Sequence, residues 1–149
     1  MSNLKLIYEV YMRTTPEQLW EALTNPKLTI HYDFGSAVES DWKLGSPIVY
    51  KTAGGKGSIS VQGTVVEHEP QVKLVHTWEE AWNAESREDR PSRVTYAIQS
   101  MGTVCRLTVT HDDFASETQT YRMVTSAWPM IISGLKTLLE TGEPLGIGG

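Results

Sequence analysis

Three side chains in the second half of the sequence carry groups that could exchange protons with a bound molecule. His76 and Tyr96 lie within segments of alternating polar and apolar residues, and His111 ends a third such segment. An imidazole can act as a general base and a phenol as a hydrogen-bond donor. One hypothesis is therefore an enzyme that uses His76 or His111 as its base and Tyr96 as its donor.

Structural roles explain the same three residues equally well. Buried His and Tyr side chains commonly find internal partners, so His76 and Tyr96 could satisfy one another inside a filled core. His111 precedes Asp112 and Asp113, and a carboxylate partner would account for it. Both interpretations stay open, and the catalytic residues are unknown.

Other patterns of catalytic and metal-binding residues are absent from the sequence. No two of the four histidines lie three or four residues apart, and a single cysteine, Cys105, excludes a thiolate cluster and an internal disulfide. No nucleophile elbow, phosphate loop or dinucleotide fingerprint occurs. The pairs Glu79-Glu80 and Glu88-Asp89 are interpreted as solvated loop charges. We therefore expect no metal and no cofactor, and we expect Cys105 to be a small core residue.

Length and composition indicate one globular domain over residues 1–149. Apolar residues make up 40% of the chain and charged residues 21%, which is ordinary for a folded protein. The net charge is −5 with no basic cluster, so nucleic-acid binding is disfavoured. No apolar run approaches the roughly 20 residues of a membrane span, and the N-terminus lacks a signal-peptide pattern. We expect no membrane insertion and a cytoplasmic location.

Two short helices are predicted between a first strand, Leu4–Met12, and the remaining strands. Thr15 and Gln18 form a capping box around Pro16, and Asn25-Pro26 ends one helix and begins the next. From residue 35 onward the period changes to two, which is typical of strands. The predicted strands are Ser36–Ser40, Pro47–Thr52, Gly57–Glu67, Lys73–Glu79, Ser92–Ser100 and Val104–His111.

One long amphipathic helix, Ser116–Thr141, is predicted to follow these strands. Ser116 and Gln119 are read as its capping box, and Gly142 as its end. Its apolar residues recur every three or four positions and predict a face packed on the sheet. Pro129 predicts a kink near Thr125. A helix laid over a curved sheet in this way usually leaves a cavity between the two. Residues 145–149 are expected to fray.

Strand alternation predicts which side chains face that helix. The inward residues are Leu74, His76 and Trp78 on one strand, Val94, Tyr96 and Ile98 on the next, and Cys105, Leu107, Val109 and His111 on the last. Pairing the last two strands around Met101-Gly102 places His111 near Val94, and Tyr96 near Val109. Two layers with polar tips are expected, Trp78 with His111 and, deeper, His76 with Tyr96.

The order of these segments resembles a known family. The segments that carry the resemblance are YEVYMRTTPEQLWEALTNP, HYDFGSAVESDWKLGSPIVY, VVEHEP followed by LVHTW, PSRVTY, RLTVTH and WPMIISGLKTLLETG. They are similar to homologues of the heat-shock-protein ATPase activator, within the START-like (SRPBCC, polyketide-cyclase-like) superfamily. The resemblance implies an α+β helix-grip fold, in which a curved antiparallel sheet wraps around a long C-terminal helix.

For function, the resemblance implies several roles. The superfamily binds hydrophobic molecules, and a few branches are cyclases or hydrolases, which is the class that a base at His76 or His111 would suit. The chaperone activators carry an additional N-terminal domain, for which this chain is expected to have no room. Small helix-grip proteins often associate, so a homodimer is compatible with the resemblance. Asp33 stands where relatives tend to have an aromatic residue. If this segment rims the cavity, Asp33 would make its mouth more polar and favour a ligand with a donor or cationic group.

The leading hypothesis is a binding protein for a small hydrophobic or aromatic molecule. Its predicted ligand-binding residues are Tyr32, His76, Trp78, Tyr96, Trp128, Ile132 and Leu135. A further alternative is a chaperone-accessory or protein-interaction module that presents Trp82 and the charged loop Glu80–Pro91 to a partner. An open interior would favour a ligand or catalysis, and a filled interior would favour the interaction module.

Overall fold

Seven strands and three helices form the protein in a computed structural model, which describes residues 3–146. In chain order they are β1 (Leu6–Met12), α1 (Pro16–Thr24), α2 (Pro26–Thr29), β2 (Ala37–Ser40), β3 (Pro47–Lys51), β4 (Ile59–Glu69), β5 (Lys73–Glu80), β6 (Ser92–Met101), β7 (Val104–Asp112) and α3 (Gln119–Thr141). The expectation of a frayed end falls partly on residues 147–149, which lie outside the described residues.

The strands form one antiparallel sheet in the order β1-β7-β6-β5-β4-β3-β2. The sheet curves around α3, and the core lies between its inner face and the buried stripe of that helix. The predicted α+β helix-grip fold, with two short helices after the first strand, is confirmed.

The register of the last strands agrees with the alternation in the sequence. His111 pairs with Val94, and Tyr96 pairs with Val109. The ten residues predicted to face inward on β5, β6 and β7 are all buried, with at most 8% of each exposed. Cys105 is fully buried, as expected of a small core residue. Period-two patterning therefore predicts the inner wall of the protein correctly, because each strand has one face against the core.

The helix boundaries follow their capping residues. Thr15 caps α1 by accepting a hydrogen bond from the Gln18 amide at 3.2 Å, as the sequence predicts. The predicted start of α3 at Ser116 is wrong: its N-cap is Thr118, whose hydroxyl accepts from the Tyr121 amide at 3.2 Å. The helix then continues through Pro129, which lies on its exposed side, and ends at Gly142.

Candidate functional site

A cavity of about 790 Å³ lies between the sheet and the first half of α3. Strands β3, β4 and β5 form one wall, and residues 122–131 of α3 form the opposite wall. Phe34 and Trp82 line it near the surface, with 43% and 57% of each residue exposed. Deeper rings come from Tyr50, Trp78 and Trp128, so aromatic side chains line the cavity from its mouth inward.

Glu80 brings a buried carboxyl to this cavity. It is only 5% exposed, although the sequence places it in a run interpreted as solvated loop charges, and that interpretation is wrong. Glu80 is the last residue of β5 and shares the inward face with Trp78, because the alternation of the strand continues for one more step. The Trp78 indole donates to its Oε1 at 3.3 Å, and the Trp82 indole donates to its Oε2 at 3.0 Å. Burial raises the pKa of the Glu80 carboxyl, while these two donors oppose the rise.

Asp33 brings a second carboxyl to the same cavity. It lies in the turn between α2 and β2, where Phe34 and Gly35 both have positive φ and direct the chain back toward the sheet. Burial raises the pKa of Asp33 to about 7, and repulsion from Glu80 contributes to the rise. The expectation that Asp33 makes the cavity more polar agrees with this position. At neutral pH the Asp33 carboxyl is therefore close to the midpoint of its titration.

The long loop between β5 and β6 is fastened to the start of α3. Asp89 Oδ2 accepts hydrogen bonds from the Thr120 amide at 3.0 Å and from the Thr120 hydroxyl at 2.6 Å. The Ser86 hydroxyl contacts Met123 Sδ at 3.2 Å. Asp89 thereby satisfies a backbone donor in the first turn of α3, where an unpaired amide would otherwise remain. The interpretation of Glu88-Asp89 as solvated charges is therefore wrong for Asp89.

His111 belongs to a closed hydrogen-bond network. Its Nδ1 accepts from the Trp128 indole at 3.0 Å, so this nitrogen carries no proton. Its Nε2 then donates to the Ser92 hydroxyl at 2.7 Å, and that hydroxyl donates to the Trp78 carbonyl at 3.3 Å. The expected carboxylate partner is absent: Asp112 pairs with Arg93 and Asp113 with Arg90. Burial lowers the pKa of His111 to about 3, which keeps the ring neutral.

His76 and Tyr96 do not satisfy one another, contrary to the structural interpretation of the sequence. His76 Nδ1 donates to the Thr77 carbonyl at 2.8 Å, and its buried Nε2 has no hydrogen-bond partner. The Tyr96 hydroxyl interacts with the Tyr50 hydroxyl instead. The two rings still pack together, with centroids 5.9 Å apart. Burial lowers the pKa of His76 to about 4, so it is also neutral.

Comparison of the sequence with known protein families gives a match. The profile of the family described as Activator of Hsp90 ATPase homolog 1-like protein matches residues 13–140. The chain belongs to this family. None of the curated protein sequences compared with the chain matches it.

Solved structures share the fold of this family member. MLL2253 from Mesorhizobium loti superposes with a TM-score of 0.75 at 23% identity, over 91% of this chain and 96% of that one. CalU16 from Micromonospora echinospora gives 0.74 at 18% identity, over 97% and 78%. The Aha1 dimer from Colwellia psychrerythraea gives 0.72 at 16% identity, over 93% and 98%. At these identities the likeness shows the fold alone.

The structure distributes the seven predicted ligand-binding residues over three places: the main cavity, a deeper void and the core behind them. Trp78 and Trp128 line the main cavity. A second void of about 10 Å³ lies deeper, and four more line it: Tyr32, Tyr96, Ile132 and Leu135. That void is about the size of one water molecule. His76 lines neither space and packs behind Tyr50, Trp78 and Tyr96.

Several residues of the main cavity are missed by the sequence reasoning. The sequence does not single out Glu80 or Ala127, and it assigns Trp82 to a protein-interaction loop. The sequence does contain a signal for Glu80: it lies two residues after Trp78 on β5, so strand alternation directs both side chains to the inner face. Trp82 has the same parity as Trp78 and Glu80, but it lies beyond the end of β5, where strand alternation no longer predicts the direction of a side chain.

Within residues 3–146, no three His, Cys, Asp or Glu side chains are grouped so that they could hold a metal ion. No helix in that part of the chain combines the length and the apolar character needed to cross a membrane.

Proposed function

We propose that the protein is a cytoplasmic, single-domain binding protein for a small hydrophobic or aromatic molecule. The observation that supports this most is the cavity itself, whose volume of about 790 Å³ lies within the range of ~300–1,000 Å³ typical of small-molecule sites. Aromatic rings on its walls, with a few convergent polar groups, suit a flat apolar ligand.

The predicted binding residues take different parts in this proposal. Trp78 and Trp128 contact the ligand directly, because they line the main cavity. The others hold these rings from behind or line the deeper void, and they are Tyr32, His76, Tyr96, Ile132 and Leu135. Tyr32 is itself fixed by a hydrogen bond of 2.7 Å from its hydroxyl to the Ala22 carbonyl.

The alternatives receive less support. A general base must reach the proton that it abstracts, whereas neither His76 nor His111 lines the cavity. A protein-interaction module would account for the exposed Trp82 ring, yet it would not require an open interior. A homodimer stays a prediction, in keeping with the dimeric relative named Aha1.

Filling the cavity tests the proposal. N-phenyl-1-naphthylamine is a neutral dye that fluoresces in apolar surroundings, and we expect it to bind with saturation. Ala127 is a small residue on the cavity wall of α3, so Ala127→Trp occupies the space that the dye needs. We expect that variant to weaken dye binding by at least about tenfold, equivalent to ~1.4 kcal/mol.

A matched substitution serves as the control. Thr125→Trp adds the same ring to the same helix at an exposed position that does not line the cavity, and we expect it to bind the dye like the parent protein. Dye binding that is absent from the parent protein, or equal in both variants, would contradict the proposal.

A further inference from the structure

We propose that the cavity selects an aromatic or apolar ligand that carries a cationic amine, and that Glu80 and Asp33 bind the amine. This inference rests on the proposed function and names the chemical class of the ligand. It depends on three features of the cavity: an enclosed carboxylate, a second carboxyl without a cationic partner, and indole rings beside them.

Glu80 is held as an acceptor facing the cavity. Its two oxygens each accept one indole N–H, from Trp78 and from Trp82. A carboxylate has about four lone-pair sites, so acceptor capacity remains after these two bonds. Two donors converging on one carboxylate favour its charged form, and they also fix the orientation of both rings.

No side-chain cation within residues 3–146 neutralises the two carboxyls. Neither Asp33 nor Glu80 makes an ion pair there, and no cation contributes to the shift of either pKa. A buried carboxylate without a cation is costly, and an incoming ammonium group relieves that cost. The same two groups repel an anionic ligand.

Aromatic faces surround this negative end of the cavity. The Trp78 and Trp128 rings lie 5.5 Å apart, and Tyr50 lies 6.0 Å from Trp78. The face of an indole ring attracts a cation, and the attraction grows when water is excluded. An aromatic amine would therefore place its ring against these side chains and its charge against Glu80.

The other charged and titratable groups around Asp33 leave the net charge at this end of the cavity negative. They are Glu80 on β5, Tyr50 on β3, Tyr96 on β6 and the adjacent Tyr32, and Arg122 on α3 lines the same cavity. The three tyrosines are neutral, because burial raises the pKa of each. Arg122 is exposed, and its guanidinium donates to the Glu117 carbonyl and to the Gln119 side chain.

Calorimetry with three naphthalene probes tests the selection by charge. The probes are 1-naphthylmethyltrimethylammonium, 1-naphthalenemethanol and 1-naphthoate, which share one ring system. We expect the cation to bind about tenfold more tightly than the alcohol, which is ~1.4 kcal/mol, and the anion to bind most weakly. Glu80→Gln should remove that preference while the alcohol still binds. Glu79→Gln, a half-buried neighbour on the outer face of β5, should leave it unchanged.

Asp33 adds a pH dependence that the quaternary probe can isolate, because the probe itself does not titrate. A cation binds better once Asp33 has lost its proton, so affinity should rise by up to about tenfold from about pH 6 to about pH 8. Asp33→Asn should abolish that rise, and the alcohol should show none.

The outcomes separate the two proposals. If N-phenyl-1-naphthylamine binds but the cation binds no better than the alcohol, the selection for an amine is wrong and the proposed function stands. If the cation is preferred in Glu80→Gln and Asp33→Asn as strongly as in the parent protein, the assignment to these carboxyls is wrong. If neither the dye nor any probe binds, both proposals fail.

Discussion

Two buried histidines of this protein, both neutral, differ in how completely they are bonded. His111 uses both ring nitrogens, one toward Trp128 and one toward Ser92. His76 uses only Nδ1, and its Nε2 is left without a partner. Removing a fully bonded group leaves its partners unsatisfied, whereas removing an unsatisfied group relieves a cost.

This difference predicts unequal effects of the same substitution at the two positions. His111→Leu leaves the Trp128 indole and the Ser92 hydroxyl without their partner, and should lower the free energy of unfolding by about 2–4 kcal/mol. His76→Leu should leave it within about 1 kcal/mol of the parent protein. Urea denaturation measures both. Equal losses in the two variants would contradict the assigned bonding.

The lowered pKa of His111 also predicts a dependence of stability on acid. The pKa falls from 6.5 to about 3 on folding, so the unfolded chain binds the proton more readily. The contribution of His111 to the free energy of unfolding is complete above pH 6.5 and is lost as the pH falls toward 3. The loss amounts to up to about 1.4 kcal/mol per pH unit.

Comparison with His111→Gln isolates that contribution from the other titrating groups. The advantage of the parent protein over the variant in free energy of unfolding should be larger at neutral pH than in acid. A constant difference would show that His111 is not kept neutral by the fold.

At the scale of the elements, the start of α3 depends on the loop between β5 and β6. Asp89 accepts two hydrogen bonds from Thr120, which is almost fully buried. Asp89→Ala should cost about 1–2 kcal/mol, as the loss of a helix cap does, and should make residues 81–91 more susceptible to protease. Glu88→Ala, at the exposed neighbouring residue, is the matched control and should change neither. Unchanged proteolysis in Asp89→Ala would contradict the proposed anchoring.

Strands β6 and β7 show where sequence reasoning succeeds, and the start of α3 shows where it fails. Strand alternation places Tyr96 and His111 correctly, because period and register follow from local chain geometry. The start of α3 is misplaced at Ser116, since the hydroxyl that caps the helix belongs to Thr118; the additional contact to Thr120 comes from Asp89, 31 residues earlier in the chain. A capping box is a local signal, whereas this contact exists only after the loop has folded.

For the whole molecule, the family resemblance and the strand order predict the fold, including the space between sheet and helix. They do not predict which side chains meet there. Glu80 could have been found by extending the parity of β5 by one step. The position of Trp82 could not, since it depends on the path of a loop without periodicity.

The five tryptophans of the chain report on two separate regions of the fold. Trp78, Trp82 and Trp128 line the cavity. Trp20 and Trp42 instead pack around His68, with ring centroids 5.3 and 6.0 Å from it, and do not line the cavity. The indole N–H groups therefore form a built-in set of probes and controls.

Heteronuclear NMR of these indole groups during titration with N-phenyl-1-naphthylamine tests the central claim most directly. If the cavity is the binding site, the signals of Trp78, Trp82 and Trp128 will shift together with one saturation curve, and those of Trp20 and Trp42 will not move. Shifts confined to Trp20 and Trp42, or no saturable shift in the cavity set, would contradict the account.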